Sequence, residues 1–261
     1  MKREERLDFL IDTLKAESAD YADISIPGNL KDKQKLLRAL MNVRPPQHIA
    51  DGWLSLQDEE LHEQLAEKGV VDIDTLPRTG RYILWQGDIT RLNVDAIVNA
   101  ANSRMLGCFA PLHGCIDNAI HSAAGVQLRL ACNDVMSHKG SLEPTGQALI
   151  TPAFNLPSKF VIHTVGPIIH TPRPTADDRH LLASCYRSCL ECAGANALSS
   201  IAFCCISTGE FHYPNEEAAV VALDAVNSYF EDNPESSVST VVFNVFKDED
   251  YKIYKKLLRH D

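Results

Sequence analysis

The sequence contains no long apolar run. Among its 261 residues, no uninterrupted hydrophobic stretch approaches the ~20 residues that a membrane-spanning helix needs. Its amino terminus alternates charged residues with leucine and isoleucine, and therefore lacks the apolar core of a secretory signal peptide. These two absences predict a cytoplasmic protein without a membrane partner.

Positive charge is also scarce. The chain has 25 lysines and arginines against 35 aspartates and glutamates, which gives a formal net charge of −10. Such a surface repels a phosphate backbone, so we expect no nucleic-acid partner. A small phosphate-bearing ligand stays compatible with this charge, because backbone N–H groups and helix N-termini can bind it locally.

Two common nucleotide-binding motifs are missing as well. The sequence has neither the GxxxxGKS/T loop of P-loop NTPases nor a GxGxxG turn after its first predicted strand. The pattern argues against a nucleotide triphosphatase and against an ordinary dehydrogenase.

Residues 1–78 are predicted to form a helical extension, and residues 79–261 an α/β domain. The extension has three helical patterns, the third with Asp51 as its predicted N-cap, but no cluster of reactive side chains. We favour a helical attachment packed beside the main domain over an independent partner-binding module.

In the second part, short apolar strand patterns alternate with helical patterns, among them single helices over residues 116–136 and 248–259. This alternation predicts a three-layer α/β/α sandwich with a parallel or mixed sheet. Ligands of such folds bind beyond the carboxyl ends of the strands.

The predicted strand ends carry polar residues. Asp88 ends the first strand and offers an acceptor for an amino group such as adenine N6, with Ile89 as an apolar surface for the ring; an Asx turn is the alternative. Asn102 ends the second strand, where its amide can donate and accept. Later in the chain, Ser207 and the two residues after it precede a helix and suit a pyrophosphate.

The eight cysteines are predicted to be free thiols in a reducing compartment. Five of them lie in apolar patterns typical of small core residues: Cys185, Cys189, Cys192, Cys204 and Cys205. The other candidates lie in a glycine- and proline-interrupted segment, residues 105–115, which we call the Cys/His loop.

The Cys/His loop contains Cys108, His113 and Cys115 just before a predicted helix. Two thiolates and one imidazole suit tetrahedral Zn²⁺ and leave a fourth position open, as in catalytic zinc sites. The spacing matches no common zinc finger, so a turn with two chance cysteines is the alternative. Asp117 and His121 follow one helical turn apart, and Asp117 is predicted to point toward the loop.

Taken together, these segments resemble the macrodomain family, specifically its zinc-containing branch of ADP-ribosyl hydrolases. The matching pieces are GDIT at 87–90, VDAIVNAANS at 94–103, CIDNAIHSAAG at 115–125, ISTG at 206–209 and FNVFKDEDY at 243–251. The resemblance spans about residues 81–254, and the amino-terminal helices also look like the extension of these proteins. It implies a macrodomain sandwich with a central mixed sheet.

The resemblance also implies roles for single residues. It makes Cys108, His113 and Cys115 the zinc ligands, and Asn102 and Asp117 the catalytic residues. The residues expected to contact ADP-ribose are Asp88, Ile89, Asn102, Ile116, Asp117, Asn118, Ser207, Thr208, Gly209, Glu210, Phe211, Asn244 and Phe246. His212 departs from the family, because many macrodomains have glycine there.

The implied function is zinc-dependent removal of mono-ADP-ribose from protein side chains, with Asp/Glu esters as the expected linkage and an ADP-ribosyltransferase as a partner. Two alternatives stay open at the level of sequence. The first is a reader module that binds ADP-ribose without cleaving it. The second is a structural zinc domain, in which His121 or Asp117 would complete the metal site.

Overall fold

The computed structural model describes residues 1–258. The predicted last residue of the final helix, Arg259, and the predicted domain end at Asp261 lie outside the described residues. The helices are α1 Arg3–Lys15, α2 Leu30–Val43, α3 Asp51–Lys68, α4 Ile116–Ala124, α5 Val126–Lys139, α6 Ala176–Ala195, α7 Asn215–Asp232 and α8 Asp248–Leu257. The strands are β1 Val71–Asp72, β2 Arg78–Thr79, β3 Tyr82–Gln86, β4 Leu92–Asn93, β5 Ala96–Ala100, β6 Ala148–Pro152, β7 Phe160–Thr164, β8 Ser200–Phe203 and β9 Thr240–Val245.

A seven-stranded sheet in the order β2-β3-β9-β8-β5-β7-β6 lies at the centre of the larger part. Its five inner strands run parallel, and the edge strands β2 and β6 are antiparallel to their neighbours. Every residue of β8 and β9 is buried, which explains why these strands are apolar on both faces. A two-stranded parallel sheet, β1-β4, lies apart from it.

Helices cover both faces of the sheet. On one face α7 contacts both α6 and α8, and on the other α4 and α5 pack together against β5 and β6. The predicted three-layer α/β/α sandwich with a mixed sheet is confirmed. The parallel inner strands bring the residues that follow β3, β5, β8 and β9 to one edge of the sheet.

The predicted single helix over residues 116–136 is wrong, because the chain breaks at Gly125 between α4 and α5. Gly125 has φ 94, and a Cβ there would lie 2.6 Å from the amide nitrogen of Gln57. The predicted cap of α3 also differs by one residue. Ala50 takes the N-cap position, and Asp51 is the first helical residue.

The helices α1, α2 and α3 form a hydrophobic cluster of their own that also includes Val126 of α5. The largest buried side chain in the cluster is Trp53, whose indole N–H donates to Leu10 O at 3.2 Å. The amino-terminal part therefore packs directly against the α4–α5 layer. Within residues 1–258, none of the helices is both long and apolar enough to cross a bilayer.

Candidate functional site

A cleft of about 1250 Å³ opens at the carboxyl ends of the inner strands. The sheet supplies its floor through the residues that follow β3, β5, β8 and β9, and α4 supplies one side through its first turn. All of the predicted ADP-ribose residues line this cleft except Asn118, whose side chain bonds to Arg38 and to Ala110 O. The extension lines the cleft as well, through α2 and α3, which sequence reasoning did not predict.

The three predicted zinc ligands converge within the Cys/His loop. The Cys108 Sγ lies 3.6 Å from His113 Nδ1, and the donor atoms of Cys108, His113 and Cys115 all lie within 4.8 Å of one another. Three residues of the loop have positive φ: Met105 at 61°, Gly107 at 79° and Leu112 at 56°. The loop thus folds back sharply, and this brings residues up to seven positions apart in sequence to a common point.

Cys108 and Cys115 are both partly buried free thiols. Burial raises the pKa of Cys115 to about 11, and the adjacent Cys108 sulfur acts in the same direction. Both thiols must lose their protons to act as metal ligands, and a nearby cation would favour that ionisation. Cys115 is also the N-cap of α4, where its Sγ accepts from the Asn118 backbone N–H at 3.4 Å.

Asp117 lies beside the Cys/His loop in the first turn of α4 and is 5% exposed. The Asn99 amide donates to its Oδ1 at 2.8 Å, and the Asn102 amide donates to its Oδ2 at 3.3 Å. Burial raises the pKa of Asp117 to about 6, although the hydrogen bond from Asn99 opposes the shift. The strand end and the helix start therefore present one desolvated carboxylate to the cleft.

A second layer of buried polar groups supports this carboxylate from below. The Asn99 Nδ2 lies 3.1 Å from His163 Nδ1, and His163 Nε2 lies 3.0 Å from Thr151 Oγ1. Since an amide nitrogen only donates, Nδ1 is the acceptor and Nε2 carries the proton. Burial lowers the pKa of His163 to about 3, so this imidazole is neutral.

Residues 207–211, which we call the diphosphate loop, lie between β8 and α7. Ser207 has φ 65 and His212 has φ 58, so both take the left-handed conformation that glycine favours. The turn is closed by the Tyr213 N–H, which donates to Ser207 O at 2.9 Å. His212 thus adopts the left-handed conformation, although many macrodomains have a glycine at this position.

The opposite end of the cleft is formed by the residues after β3 and β9. Asp88 Oδ1 accepts from the backbone N–H and hydroxyl of Thr90, at 3.1 and 2.7 Å, so the predicted Asx turn is present. Its second oxygen lies 3.4 Å from Lys68 Nζ and faces the cleft wall. Asn244 donates to Gly87 O at 3.0 Å, while Phe246 is 76% exposed.

Several residues at the site were missed by sequence reasoning. Gly166 follows β7, and a Cβ there would lie 2.0 Å from the Ser207 Oγ in the diphosphate loop. A glycine near the end of the predicted strand KFVIHTVGP was the signal that could have identified it. Arg38 and Lys68 carried no such signal, because they lie in helices far from the strand ends in sequence.

Comparisons with known proteins agree with this geometry. A sequence model described as Macro domain matches residues 98–222. A protein-ADP-ribose hydrolase of Treponema medium is 49% identical over 99% of this chain and 100% of that protein. A probable bifunctional ADP-ribose hydrolase/ADP-ribosyltransferase of Fusarium oxysporum is 46% identical over 68% of this chain and 31% of that protein.

Solved structures show the same fold. The Trypanosoma brucei macrodomain in complex with ADP-ribose has a TM-score of 0.65 and 30% identity, and the match covers 85% of this chain and 94% of that one. The Oceanobacillus iheyensis macrodomain with ADP has a TM-score of 0.61 and 41% identity, and covers 69% of this chain and 90% of that one.

Proposed function

Since the chain belongs to the macrodomain family as a protein-ADP-ribose hydrolase, we propose that it removes mono-ADP-ribose from aspartate and glutamate esters with the help of zinc. In this reaction water cleaves the ester between C1″ of the distal ribose and a protein carboxylate. The products are free ADP-ribose and the unmodified side chain. The convergence of Cys108, His113 and Cys115 beside Asp117 carries the proposal.

The donor set fits zinc. Zn–S and Zn–N bonds of about 2.0–2.3 Å place tetrahedral ligand atoms at separations like the 3.6 Å between Cys108 Sγ and His113 Nδ1. Among residues 1–258, neither Asp117 nor His121 joins this group, which supports an open fourth position over a closed structural site. When bound, a zinc ion there supplies Lewis-acid polarisation of a ribose or water oxygen.

Asn102 and Asp117 act at the sugar end of the substrate. Because two amide donors fix the Asp117 carboxylate, its oxygens keep one orientation toward the cleft. In that position it accepts a hydrogen bond from the attacking water and takes up the proton that the water releases. Asn102 orients the ribose hydroxyls beside it.

The diphosphate is bound between two sets of backbone donors. The N-terminus of α4 supplies the N–H groups of Ile116 and its neighbours, and the diphosphate loop supplies those of Thr208, Gly209 and Glu210 across the cleft. The Ser207 Oγ is buried and has no hydrogen-bond partner among the described residues. Anchoring the phosphates at this point uses binding energy to align C1″ with the catalytic groups.

An ADP-ribosyltransferase supplies the modified protein in this proposal. Hydrolysis consumes an ester that only a transferase reaction produces. The name of the Fusarium oxysporum relative, a probable bifunctional ADP-ribose hydrolase/ADP-ribosyltransferase, joins both activities in one protein, which supports such a pairing.

The zinc function is tested with Cys108→Ala and His113→Ala. Each variant should lose zinc and lose hydrolysis by roughly 100-fold or more, while ADP-ribose binding is largely kept. Cys192→Ala is the matched control, because Cys192 is a half-buried thiol on α6 outside the cleft. Full turnover by a zinc-free Cys108→Ala protein would show that the proposed role of zinc is wrong.

The linkage is tested by a release assay with Asp/Glu-, Ser- and Arg-linked substrates, each with and without a chelator. We expect release from the acidic side chains only, and its loss when zinc is removed. Release from the serine or arginine linkage at an equal rate would contradict the assigned substrate class and leave the hydrolase activity itself intact.

A further inference from the structure

Two side chains of α2 reach the backbone of the Cys/His loop on either side of a proposed zinc ligand. Arg38 Nη2 donates to His113 O at 3.3 Å, and Asn42 Oδ1 accepts from the Leu112 N–H at 3.0 Å. Arg38 and Asn42 are four residues apart and therefore lie on the same face of the helix. We call this pair the α2 clamp.

The same pair also bonds to α4, the helix that follows the loop. Arg38 Nη2 donates to Asn118 Oδ1 at 2.7 Å, and Asn42 Nδ2 donates to Ser122 Oγ at 2.9 Å. Asn118 and Ser122 are again four residues apart. Asn118 in turn donates to Ala110 O at 2.9 Å. The extension, the loop and α4 thus form one hydrogen-bonded unit.

Burial makes these bonds effective. Asn42 is 2% exposed and Asn118 is fully buried, so water does not compete with their hydrogen bonds. A buried amide that loses one of its partners has no solvent to replace it. These buried hydrogen bonds therefore fix the position of α2 relative to α4.

The loop itself needs such support. Leu112 has φ 56, a strained conformation for a residue with a side chain, and it is 45% exposed. The Leu112 N–H is held by its hydrogen bond to Asn42 Oδ1, which fixes the backbone of this turn. His113, the next residue, takes its position from this turn.

We propose that the amino-terminal extension is part of the metal site, with Arg38 and Asn42 as positioning residues that hold His113 in place for zinc. The inference rests on the zinc function proposed above. A metal ligand on a loop binds tightly only when surrounding hydrogen bonds fix its direction, and loss of such partners weakens metal affinity by about 10–100-fold.

The test uses the zinc-loaded full chain and the variants Arg38→Met and Asn42→Ala. Methionine keeps the apolar stem of Arg38 and removes its N–H donors. Transfer of zinc to a chelator should become at least about tenfold faster in each variant. ADP-ribose affinity measured by calorimetry should stay within about threefold in Asn42→Ala, because Asn42 does not line the cleft. Arg38→Lys, which retains a donor, should recover part of the zinc retention.

Lys35→Met is the matched control, because Lys35 lies on the same helix and pairs only with Asp32 at 3.1 Å among its described contacts. Its zinc release should equal that of the parent. A folded Arg38→Met protein with parental zinc release would overturn the proposal, and so would an Asn42→Ala protein that loses ADP-ribose affinity but keeps its zinc. If Asn42→Ala does not fold, Arg38→Met decides alone. A parent protein that holds no zinc would contradict the proposed function rather than the clamp.

Discussion

Glu210 Oε1 lies 3.6 Å from His113 Nε2, while Cys108 Sγ lies 3.6 Å from the other nitrogen of the same ring. The imidazole therefore connects the diphosphate loop with the Cys/His loop. Histidines that bind metals commonly direct their second nitrogen toward a carboxylate, which fixes the tautomer and raises the basicity of the ligand. The two loops are thus expected to influence each other when substrate and metal bind.

Glu210→Gln should weaken zinc binding by roughly threefold to tenfold, because the amide lacks the charge that favours an N–H at His113 Nε2. The effect stays small, since the Glu210 side chain is 68% exposed and water screens it. Competition with a chromophoric chelator at neutral pH measures the change. Glu235→Gln, at an exposed site in the loop before β9, is the control. Equal zinc affinity in Glu210→Gln and the parent would contradict this coupling.

Asp88→Asn should weaken ADP-ribose binding by roughly tenfold and leave the zinc content unchanged. The amide oxygen can keep the turn to Thr90, so the fold is preserved. Its NH₂ group would then face adenine N6, and two donors would meet where a carboxylate had accepted. Calorimetric titration with ADP-ribose measures the loss. An unchanged affinity would refute the assignment of Asp88 to adenine.

Gly166→Ala should disturb the diphosphate loop. The new Cβ would lie 2.0 Å from Ser207 Oγ and 2.9 Å from Ile206 Cγ2, so the loop has to move. We expect a destabilisation of about 1–3 kcal/mol and a loss of ADP-ribose affinity, while zinc is retained. Gly52→Ala is the control, because a Cβ at Gly52 meets nothing within 4 Å inside α3. Thermal unfolding measures the stability of both variants, and calorimetry measures their ADP-ribose affinity. If Gly166→Ala matched Gly52→Ala in both, the diphosphate loop would be flexible enough to accommodate the new Cβ, and the prediction would be wrong.

The sequence pattern predicted those helices and strands whose position depends on residues close together in the chain. The segment NEEAAVVALDAVNSYFED was predicted as a helix and forms α7, Asn215–Asp232, because its apolar residues recur at helical spacing. The break at Gly125 was missed, because the same periodicity continues through it. Contacts from Gln57 and Asn155, distant in sequence, occupy the space at that glycine.

The residues of the candidate site also fall into a group that the sequence predicted and a group that it did not. The strand-end rule brought Asp88, Asn102 and Ser207 to one cleft, since parallel strands end at the same edge of a sheet. Arg38 and Asn42 were not predicted, because they contact residues 70 to 80 positions later in the chain. No helical period or motif encodes such a contact. The packing of the extension against α4 brings these residues into contact.

The extension also contains a buried carboxylate that makes its stability depend on pH. The Glu60 side chain is fully buried and accepts from Arg3 at 2.9 Å and Arg6 at 2.8 Å. Burial acts to raise the pKa of Glu60, but the hydrogen bonds from both arginines, with those from Gln34 and Gln64, lower it to about 2 from its ordinary 4.5. The folded state therefore binds the proton less readily than the unfolded state does.

Because the folded pKa is the lower one, the contribution of Glu60 is complete above pH 4.5 and is lost as the pH falls toward 2. Glu60→Gln should cost about 3 kcal/mol near neutral pH, since it removes the fully buried carboxylate shared by Arg3 and Arg6 and leaves them only the more exposed partners Glu59, Glu63 and Glu67. As the pH falls, protonated Glu60 comes to resemble glutamine, so the difference between the two proteins should shrink toward zero. Urea unfolding of both proteins at stepped pH values measures this difference. A gap that stays constant from pH 7 to pH 2.5 would mean that the arginines do not depend on the charge of Glu60.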